Sequence, residues 1–292
     1  MRKVTVAATQ MAVNWNRDES IRKADKLVRQ AAAKGAQVIL IQELFETPYF
    51  CQTQNFKYLD LATYPDENPA IRHFRSVARE LHVVLPISFF ERHGNTQFNS
   101  MAMIDADGEV LGIYRKTHIP DGLPYAEKFY FTPGDTGFKV WNTAYGKIGV
   151  GICWDQRFPE AARAMALMGA EMLLYPTAIG NEPYLEKDSR KHWCNVMRGH
   201  AAANMMPVIA SNRIGREVPE ENPDSPGMVF YGTSFIADQH GELVVQADDH
   251  SECVITATFD LDELADERRQ WGIFRDRRPE MYKIITTHGV NR

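Results

Sequence analysis

The 292-residue chain lacks features that mark several classes of protein. It has no apolar run near the roughly 18–20 residues that span a bilayer, and no apolar stretch typical of a signal peptide. Its four cysteines form no CxxC pair, which argues against a disulfide framework and favours a reducing, cytoplasmic location. With 38 acidic against 33 basic residues, it also has no excess positive charge to attract nucleic acid.

Two further absences concern cofactors and domain boundaries. No HExxH, GxGxxG or Walker-type glycine pattern occurs, so we predict no metal and no other cofactor. No linker or low-complexity stretch divides the chain. Hydrophobic residues make up 44% and charged residues 24%, the usual balance for a globular protein with a substantial core. We therefore predict one domain over residues 1–292.

The chain does contain an alternation of strand-like and helix-like segments. Strands are predicted at Val4–Ala8, Val38–Ile41, Val83–Ile87, Lys147–Ile152, Met172–Tyr175 and Val208–Ala210. Helices are predicted at Arg17–Gly35, Pro69–Leu81, Pro159–Met168 and Asp188–Asn204. Two similar hairpin patterns occur at Met101–Leu111 and Phe235–Val244. The pattern predicts packed α/β layers, with a hint of two related halves.

Cys153 occupies an unusual local frame. A glycine-containing strand ends at this cysteine, within Gly149–Glu160, and a helix begins a few residues later. Such a turn can present a thiol at the open end of a sheet, where free backbone N–H groups lower its pKa and hold an oxyanion. The alternative is a buried structural cysteine, which is our interpretation of Cys51, Cys194 and Cys253.

Two charged residues also follow predicted strands. Glu43 comes directly after Val38–Ile41, and Lys116 ends the strand-like run Gly112–Lys116. In open α/β sheets, sites form beyond the carboxyl ends of strands. No histidine has a comparable setting as the base that a thiol nucleophile usually needs. Each charge alone is typical of a surface ion pair, but together with Cys153 the three strand ends indicate one catalytic site.

These motifs resemble those of the nitrilase superfamily of carbon–nitrogen hydrolases, and the resemblance covers essentially the whole chain. The family's Glu–Lys–Cys triad motifs match Gln42–Phe45, Tyr114–His118 and Gly151–Glu160, in that order. The resemblance implies an α/β fold, a four-layer α-β-β-α sandwich with two mixed sheets flanked by helices. It also implies a homo-oligomer built from dimers, with the tail 265–292 in subunit contacts; a solvated surface is the alternative for this tail.

Within the family, the chain is most similar to the branch that hydrolyses N-carbamoylputrescine to putrescine, ammonia and carbon dioxide. The similarity rests on Leu44–Gln52, Glu127–Phe131, Asp188–Arg190 and Trp271–Pro279. Arg157 departs from this branch, in which an aromatic residue is expected at that position.

The resemblance also implies a role for each triad residue. Cys153 attacks the ureido carbonyl, and Glu43 takes the thiol proton and later activates water. Lys116 stabilises the oxyanion together with the backbone N–H of Trp154. Glu127 resembles the family's second glutamate, which positions the lysine and the substrate; a purely structural ion pair is the alternative.

A cationic substrate needs an acidic partner, because a buried unpaired ammonium costs several kcal/mol. The acidic loop after Met172–Tyr175 should overhang the same rim as the catalytic thiol, and we predict that Glu182 and Asp188 bind the ammonium. Asp188 can instead cap the following helix. Tyr49 and Trp154 are predicted to pack against the methylene groups.

Two other functions stay open at this point. A carbamoyl-amino-acid or β-ureido-acid amidohydrolase, or an ω-amidase, acts on substrates that end in a carboxylate and would need Arg or Lys at the rim. A non-catalytic binding module would be expected to lack Glu43, Lys116 or Cys153, and all three are present. The predicted partners are a small cationic ureido substrate and further copies of this chain, with no nucleic acid and no membrane.

Overall fold

The computed structural model of the protein describes residues 1–181 and 188–289. The strands are β1 Lys3–Gln10, β2 Val38–Leu40, β3 Leu85–His93, β4 Thr96–Ile104, β5 Val110–Arg115, β6 Val140–Thr143, β7 Gly146–Val150, β8 Met172–Pro176, β9 Val208–Ser211, β10 Ile214–Glu217, β11 Met228–Tyr231, β12 Phe235–Ala237, β13 Leu243–Gln246 and β14 Cys253–Asp260. The helices are α1 Arg17–Ala33, α2 Pro69–Leu81, α3 Pro159–Leu167, α4 Arg190–Asn204 and α5 Leu261–Trp271. Every predicted strand, helix and hairpin is present, with ends that differ by a few residues.

Twelve of the strands form two mixed sheets, and β10 and β11 pair with each other as a separate antiparallel hairpin. In the first, β1 lies between the antiparallel β14 and the parallel β2. A parallel bridge between Val38 and Val84 extends this sheet to the antiparallel strands β3, β4 and β5. The second sheet has the order β13-β12-β9-β8-β7-β6, with parallel pairing among β7, β8 and β9.

Alternating apolar side chains hold the two sheets face to face. Along β2, Val38 and Leu40 point into the core between the sheets, whereas Ile39 packs against α1 and α2. Along β8, Leu174 joins the same inner core, and Leu173 packs against α3 and α4. Successive side chains of a strand point to opposite faces, so each sheet is apolar on both sides. Its inner face packs against the other sheet, and its outer face packs against helices. The α-β-β-α sandwich predicted from the sequence is confirmed.

Local capping defines where the first two helices begin. The Asn16 side chain accepts a hydrogen bond from Glu19 N at 3.1 Å, and Asn68 accepts one from Ile71 N at 2.9 Å. Pro69 then occupies the first turn of α2, where its missing N–H costs nothing. None of the helices in the described ranges has the length and apolarity needed to cross a bilayer.

Candidate active site

The three strand ends singled out in the sequence meet at one edge of the sandwich. Glu43 lies shortly after β2, Lys116 directly after β5, and Cys153 shortly after β7. All three are enclosed, with exposed fractions of 0%, 1% and 6%. An enclosed site strengthens every charge interaction within it, because water screens charges far less there.

The Lys116 ammonium lies between two buried carboxylates. Its Nζ donates to Glu43 Oε1 at 2.9 Å and to Glu127 Oε2 at 2.7 Å. Burial disfavours the charged form, but Glu127 and Glu43 outweigh it and hold the pKa of Lys116 well above its ordinary value. Lys116 is therefore a permanent cation, suited to stabilising a developing oxyanion and unsuited to acting as a base.

Glu43 has one oxygen engaged and one available. Oε1 accepts from Lys116 and, at 2.7 Å, from Asn99 Nδ2. Oε2 is buried and has no hydrogen-bond partner among the described residues. A buried carboxylate oxygen without a donor is costly unless it has a function, and here it is the atom free to receive a proton.

Glu127 is held from its other side by a tyrosine. The Tyr49 hydroxyl donates to Glu127 Oε1 at 2.7 Å. Burial and the Glu127 charge raise the pKa of Tyr49, so this hydroxyl stays protonated and keeps donating. Burial also raises the pKa of Glu127, although Lys116 opposes that effect. Glu127 therefore holds the Lys116 ammonium by a hydrogen bond, and the Tyr49 hydroxyl in turn holds the Glu127 carboxylate.

Cys153 begins a short 3-10 turn, Cys153–Arg157, with a left-handed φ of 42°. Backbone strain in a residue with a β-carbon is typical of nucleophiles placed on sharp turns. The preceding Gly151 is required by packing, because a β-carbon there would lie 2.8 Å from the ring of Tyr175. The strand-to-helix turn predicted around Cys153 is present.

The pKa of the Cys153 thiol is shifted in the direction opposite to the one expected from the sequence. The turn was expected to lower the pKa of Cys153, but burial and the Glu43 carboxylate raise it well above its usual value, despite the opposing Lys116. Its Sγ lies 3.9 Å from the carbonyl oxygen of Ala178. The resting site therefore holds a neutral thiol, and activation requires a base at the moment of attack.

Asp155 links the cysteine turn to the lysine strand, a connection that the sequence did not reveal. Its Oδ2 accepts from Ile152 N at 2.9 Å and from the Tyr114 hydroxyl at 2.7 Å. Its Oδ1 accepts from His118 N at 3.0 Å and contacts His118 Nδ1 at 2.8 Å. One wholly buried carboxylate thus fixes the residues on both sides of Lys116 relative to the thiol. The only available signal was its place within the matched cysteine motif.

Comparisons with known proteins identify the family of this chain. Residues 5–269 match the family described as carbon-nitrogen hydrolase. The chain belongs to the carbon–nitrogen hydrolase family.

It is 55% identical to N-carbamoylputrescine amidase of Arabidopsis thaliana, over 99% of this chain and 97% of that protein. It is 54% identical to citrullinase of Francisella tularensis subsp. tularensis, over 98% and 99% of the two chains. A carbon-nitrogen hydrolase from Helicobacter pylori has the same fold, with a TM-score of 0.92 and 39% identity over 99% of this chain and 100% of that one.

Two acidic residues, Glu182 and Asp188, are predicted to bind the ammonium of the substrate, and the structure describes one of them. Glu182 lies outside the described residues. Asp188 is described, and its carboxylate accepts from Arg190 N at 2.8 Å and pairs with the Arg190 guanidinium at 2.6 Å. This contact with a backbone N–H at the start of α4 is the kind that the capping interpretation of Asp188 predicts. The ammonium role of Glu182 and Asp188 stays a prediction.

The two predicted wall residues have different surroundings. Tyr49 is 1% exposed, and its ring packs edge-on against Tyr125 and Phe230, each at 5.8 Å between centroids. Trp154 is partly exposed, and the Arg157 guanidinium lies 5.6 Å from its ring centroid. Tyr49 therefore lies beside the Glu127 carboxylate, and Trp154 lies beside the Arg157 guanidinium. Their packing against substrate methylene groups stays a prediction.

No metal-binding arrangement accompanies this site in the described ranges. Within residues 1–181 and 188–289, no group of three His, Cys, Asp or Glu side chains is arranged to hold a metal ion. The residues that surround the thiol are two carboxylates and an ammonium already bound to one another.

Replacement of Lys116 by methionine is expected to lower kcat on the order of 10²-fold or more, because the oxyanion loses its cationic donor. The two facing carboxylates then also lack their shared counter-ion. Steady-state kinetics on a ureido substrate measures the effect. The matched control is Lys128→Met. Lys128 is exposed, and its one ion pair is a long surface contact of 3.9 Å with Asp121. An unchanged kcat with a raised KM would contradict the assigned role of Lys116.

Proposed function

We propose that this carbon–nitrogen hydrolase cleaves N-carbamoylputrescine to putrescine, ammonia and carbon dioxide. The chemistry rests on one observation above all: Glu43 Oε2 has no hydrogen-bond partner among the described residues, and the Glu43 charge acts on a neutral buried thiol. The choice of substrate is supported by the 55% identity to a plant N-carbamoylputrescine amidase over 99% of this chain.

The first half of the reaction forms a thioester. Glu43 Oε2 accepts the thiol proton of Cys153 as the sulfur attacks the ureido carbon. This transfer moves a negative charge from oxygen to sulfur within the site, so the net charge around Lys116 is unchanged. Lys116 Nζ and the Trp154 N–H, near the start of the 3-10 turn, stabilise the oxygen anion. Glu43 returns the proton to the departing nitrogen, which leaves a thioester on Cys153.

The second half consumes water. Glu43 takes a proton from a water molecule, the resulting hydroxide attacks the thioester carbonyl, and the same oxyanion contacts act again. The carbon–sulfur bond breaks and the thiol recovers its proton from Glu43. The product is a carbamic acid, which still holds the second nitrogen and decomposes spontaneously in water with loss of carbon dioxide. The ureido group thus ends as the free amine, ammonia and carbon dioxide. Asn99 and Lys116 keep Glu43 Oε1 in place throughout, so that only Oε2 exchanges protons.

Citrulline is a second candidate substrate, favoured by a specific residue. It carries the same ureido group but adds a carboxylate, and the chain is 54% identical to a citrullinase. The partly exposed Arg157 lies over Trp154, and its Nη1 contacts His192 Nδ1, which gives this rim a cationic group. Arg157 suits a carboxylate, whereas the predicted acidic loop suits an ammonium.

We expect N-carbamoylputrescine to exceed N-carbamoyl-β-alanine in kcat/KM by at least about 30-fold. Leaving one charge buried and unpaired commonly costs about 2–5 kcal/mol, and the low end of that range corresponds to this ratio. Ammonia release from both compounds and from citrulline measures the order. Arg157→Gln is the informative variant, because it should reduce activity on the compounds that carry a carboxylate and leave activity on N-carbamoylputrescine unchanged.

Three outcomes separate the candidates. A preference for citrulline that Arg157→Gln removes would replace the first proposal with the second. Glu182→Gln or Asp188→Asn should narrow the gap between the cationic and anionic compounds, mainly by slowing the cationic one. Similar kcat/KM values for all three compounds would leave an amidohydrolase without this charge selectivity.

We also propose that the C-terminal tail, residues 265–292, contributes to contacts between subunits of a homo-oligomer. Apolar side chains near the end of the chain are more than half exposed: Trp271, Met281, Ile284 and Ile285. Such a cluster on a soluble protein is typical of a contact surface. Light scattering on the Ile284→Asp/Ile285→Asp variant should show a smaller assembly than the unmodified protein, and an equal mass would contradict the proposal.

A further inference from the structure

A buried ion pair next to the active site has no part in the chemistry described above. Arg213 lies between β9 and β10, and Glu217 ends β10. Their side chains are 0% and 5% exposed, and Arg213 Nη1 lies 2.9 Å from Glu217 Oε1. Burying two charges is expensive, and a buried pair is often replaceable by apolar residues without loss of stability. Its contacts, rather than its contribution to folding, are therefore the informative feature.

Arg213 binds the backbone corner that carries Glu43. Its Nη2 donates to the carbonyl oxygens of Glu43 at 2.7 Å and Leu44 at 3.0 Å. Its Nη1 donates to the carbonyl oxygen of Thr47 at 3.3 Å. Leu44 has a left-handed φ of 46°, which a leucine adopts only under constraint. Arg213 therefore fixes the bend from which the Glu43 side chain projects.

Glu217 fixes the other carboxylate of the site through Tyr49. Glu217 Oε2 accepts from Tyr49 N at 2.5 Å, and the Tyr49 hydroxyl donates to Glu127 Oε1 at 2.7 Å. The Arg213 guanidinium also lies 6.0 Å from the ring centroid of Tyr49. The same ion pair thus reaches Glu43 by one route and Glu127 by another.

We propose that the Arg213–Glu217 pair is a positioning device that sets where both carboxylates lie around Lys116. Both ends bind the segment Glu43–Tyr49, which carries the Glu43 carboxylate and, in Tyr49, the hydroxyl that donates to Glu127. Lys116 Nζ bridges the two carboxylates at 2.9 and 2.7 Å. A displacement of about 1 Å in such a site can cost about 10²-fold in rate. The inference rests on the proposed roles of Glu43 and Lys116, and it is independent of which ureido compound is the substrate.

The first test replaces Glu217 by glutamine, which keeps the shape of the side chain. Oε1 of Glu217 accepts from Arg213, and Oε2 accepts from Arg213 and from Tyr49 N, so either orientation of the amide loses at least one contact. We expect kcat to fall about 10–100-fold with KM changed less than about threefold. Alkylation of Cys153 by iodoacetamide in the free enzyme should slow by a similar factor. The control Glu221→Gln, which removes a carboxylate bound to the Tyr58 hydroxyl at 2.7 Å, should leave both rates unchanged.

The second test separates positioning from stability. In Arg213→Met/Glu217→Met, apolar side chains replace both charges, so no uncompensated buried charge remains to unfold the protein. If the pair positions the carboxylates, this folded double variant keeps the slow alkylation and the low kcat of Glu217→Gln. If either folded variant reacts and turns over like the unmodified enzyme, the positioning role is wrong.

Iodoacetamide reports on the site without any substrate, so the two proposals can fail separately. If the unmodified enzyme is alkylated at Cys153 but releases no ammonia from ureido compounds, the proposed function is wrong and the positioning test still stands. If Glu43→Gln is alkylated as fast as the unmodified enzyme at pH 7, Glu43 is not the base, and slower alkylation of Glu217→Gln then needs another cause.

Discussion

Replacement of Cys153 by alanine is expected to lower kcat by about 10⁴-fold or more while the protein stays folded. Cys153 lies on the left-handed turn after β7, and the charges of Glu43, Lys116 and Glu127 act on its thiol. Loss of a nucleophile from a comparable triad has an effect of this size or larger. The substitution removes one buried sulfur atom, a small change in packing, so the thermal midpoint should shift by no more than about 4 °C. Ammonia release and differential scanning calorimetry measure the two quantities.

Cys194→Ala is the matched control, because Cys194 is also buried but packs among apolar side chains on the inner face of α4. It should retain most of its turnover, as should Cys253→Ala. Full activity in the Cys153→Ala enzyme would end the assignment of this thiol as nucleophile. An incubation of each variant with substrate, followed by mass spectrometry, should show the thioester adduct only where Cys153 is present.

Glu43→Gln is expected to abolish turnover near neutral pH through loss of the base. Burial is the largest cause of the raised pKa of the Cys153 thiol and persists in the variant, so little thiolate forms without the base. The amide preserves contacts to Lys116 or Asn99 but offers no oxygen that can take a proton. The change should therefore affect kcat far more than the thermal midpoint.

The pH dependence of this variant gives a sharper test than its loss of activity. The thiolate fraction of Cys153 grows about tenfold per pH unit below the thiol pKa, so Glu43→Gln should recover alkylation in that proportion as the pH rises. Glu46→Gln serves as control, because Glu46 is also buried and burial raises its pKa, yet it binds Asn68 at 3.0 Å outside the triad. A flat pH profile in Glu43→Gln would show that the thiol is already ionised without Glu43.

The sequence was enough to predict that three strand ends meet at one site, because the three residues share a local signal. Glu43, Lys116 and Cys153 each follow an apolar strand, and strand ends of an α/β sheet meet at one edge. The family resemblance then added Glu127, which no local pattern marks. The same periodicity predicted the layers correctly, since Ile39 and Leu40 alternate between an outer and an inner core.

The supporting contacts could not be found in this way. Asn99 meets Glu43 across 56 residues of chain, and Arg213 meets it across 170. Asp155 fell inside a matched motif, but its partners come from a separate strand. Nor could the direction of the Cys153 pKa be deduced, because it sums burial and several charges that only the folded chain brings together.

The pairing of β1 with β14 also has a consequence for synthesis of the chain. β1 lies inside the first sheet, and its eight residues pair with Cys253–Asp260 near the other end of the sequence. At about 5–20 residues per second, the ribosome delivers β14 on the order of 10–50 s after β1. During that interval the free edge of β1 can pair with strands of other nascent chains. Yield in cells should therefore depend on chaperones that shield the first strand until the last one emerges.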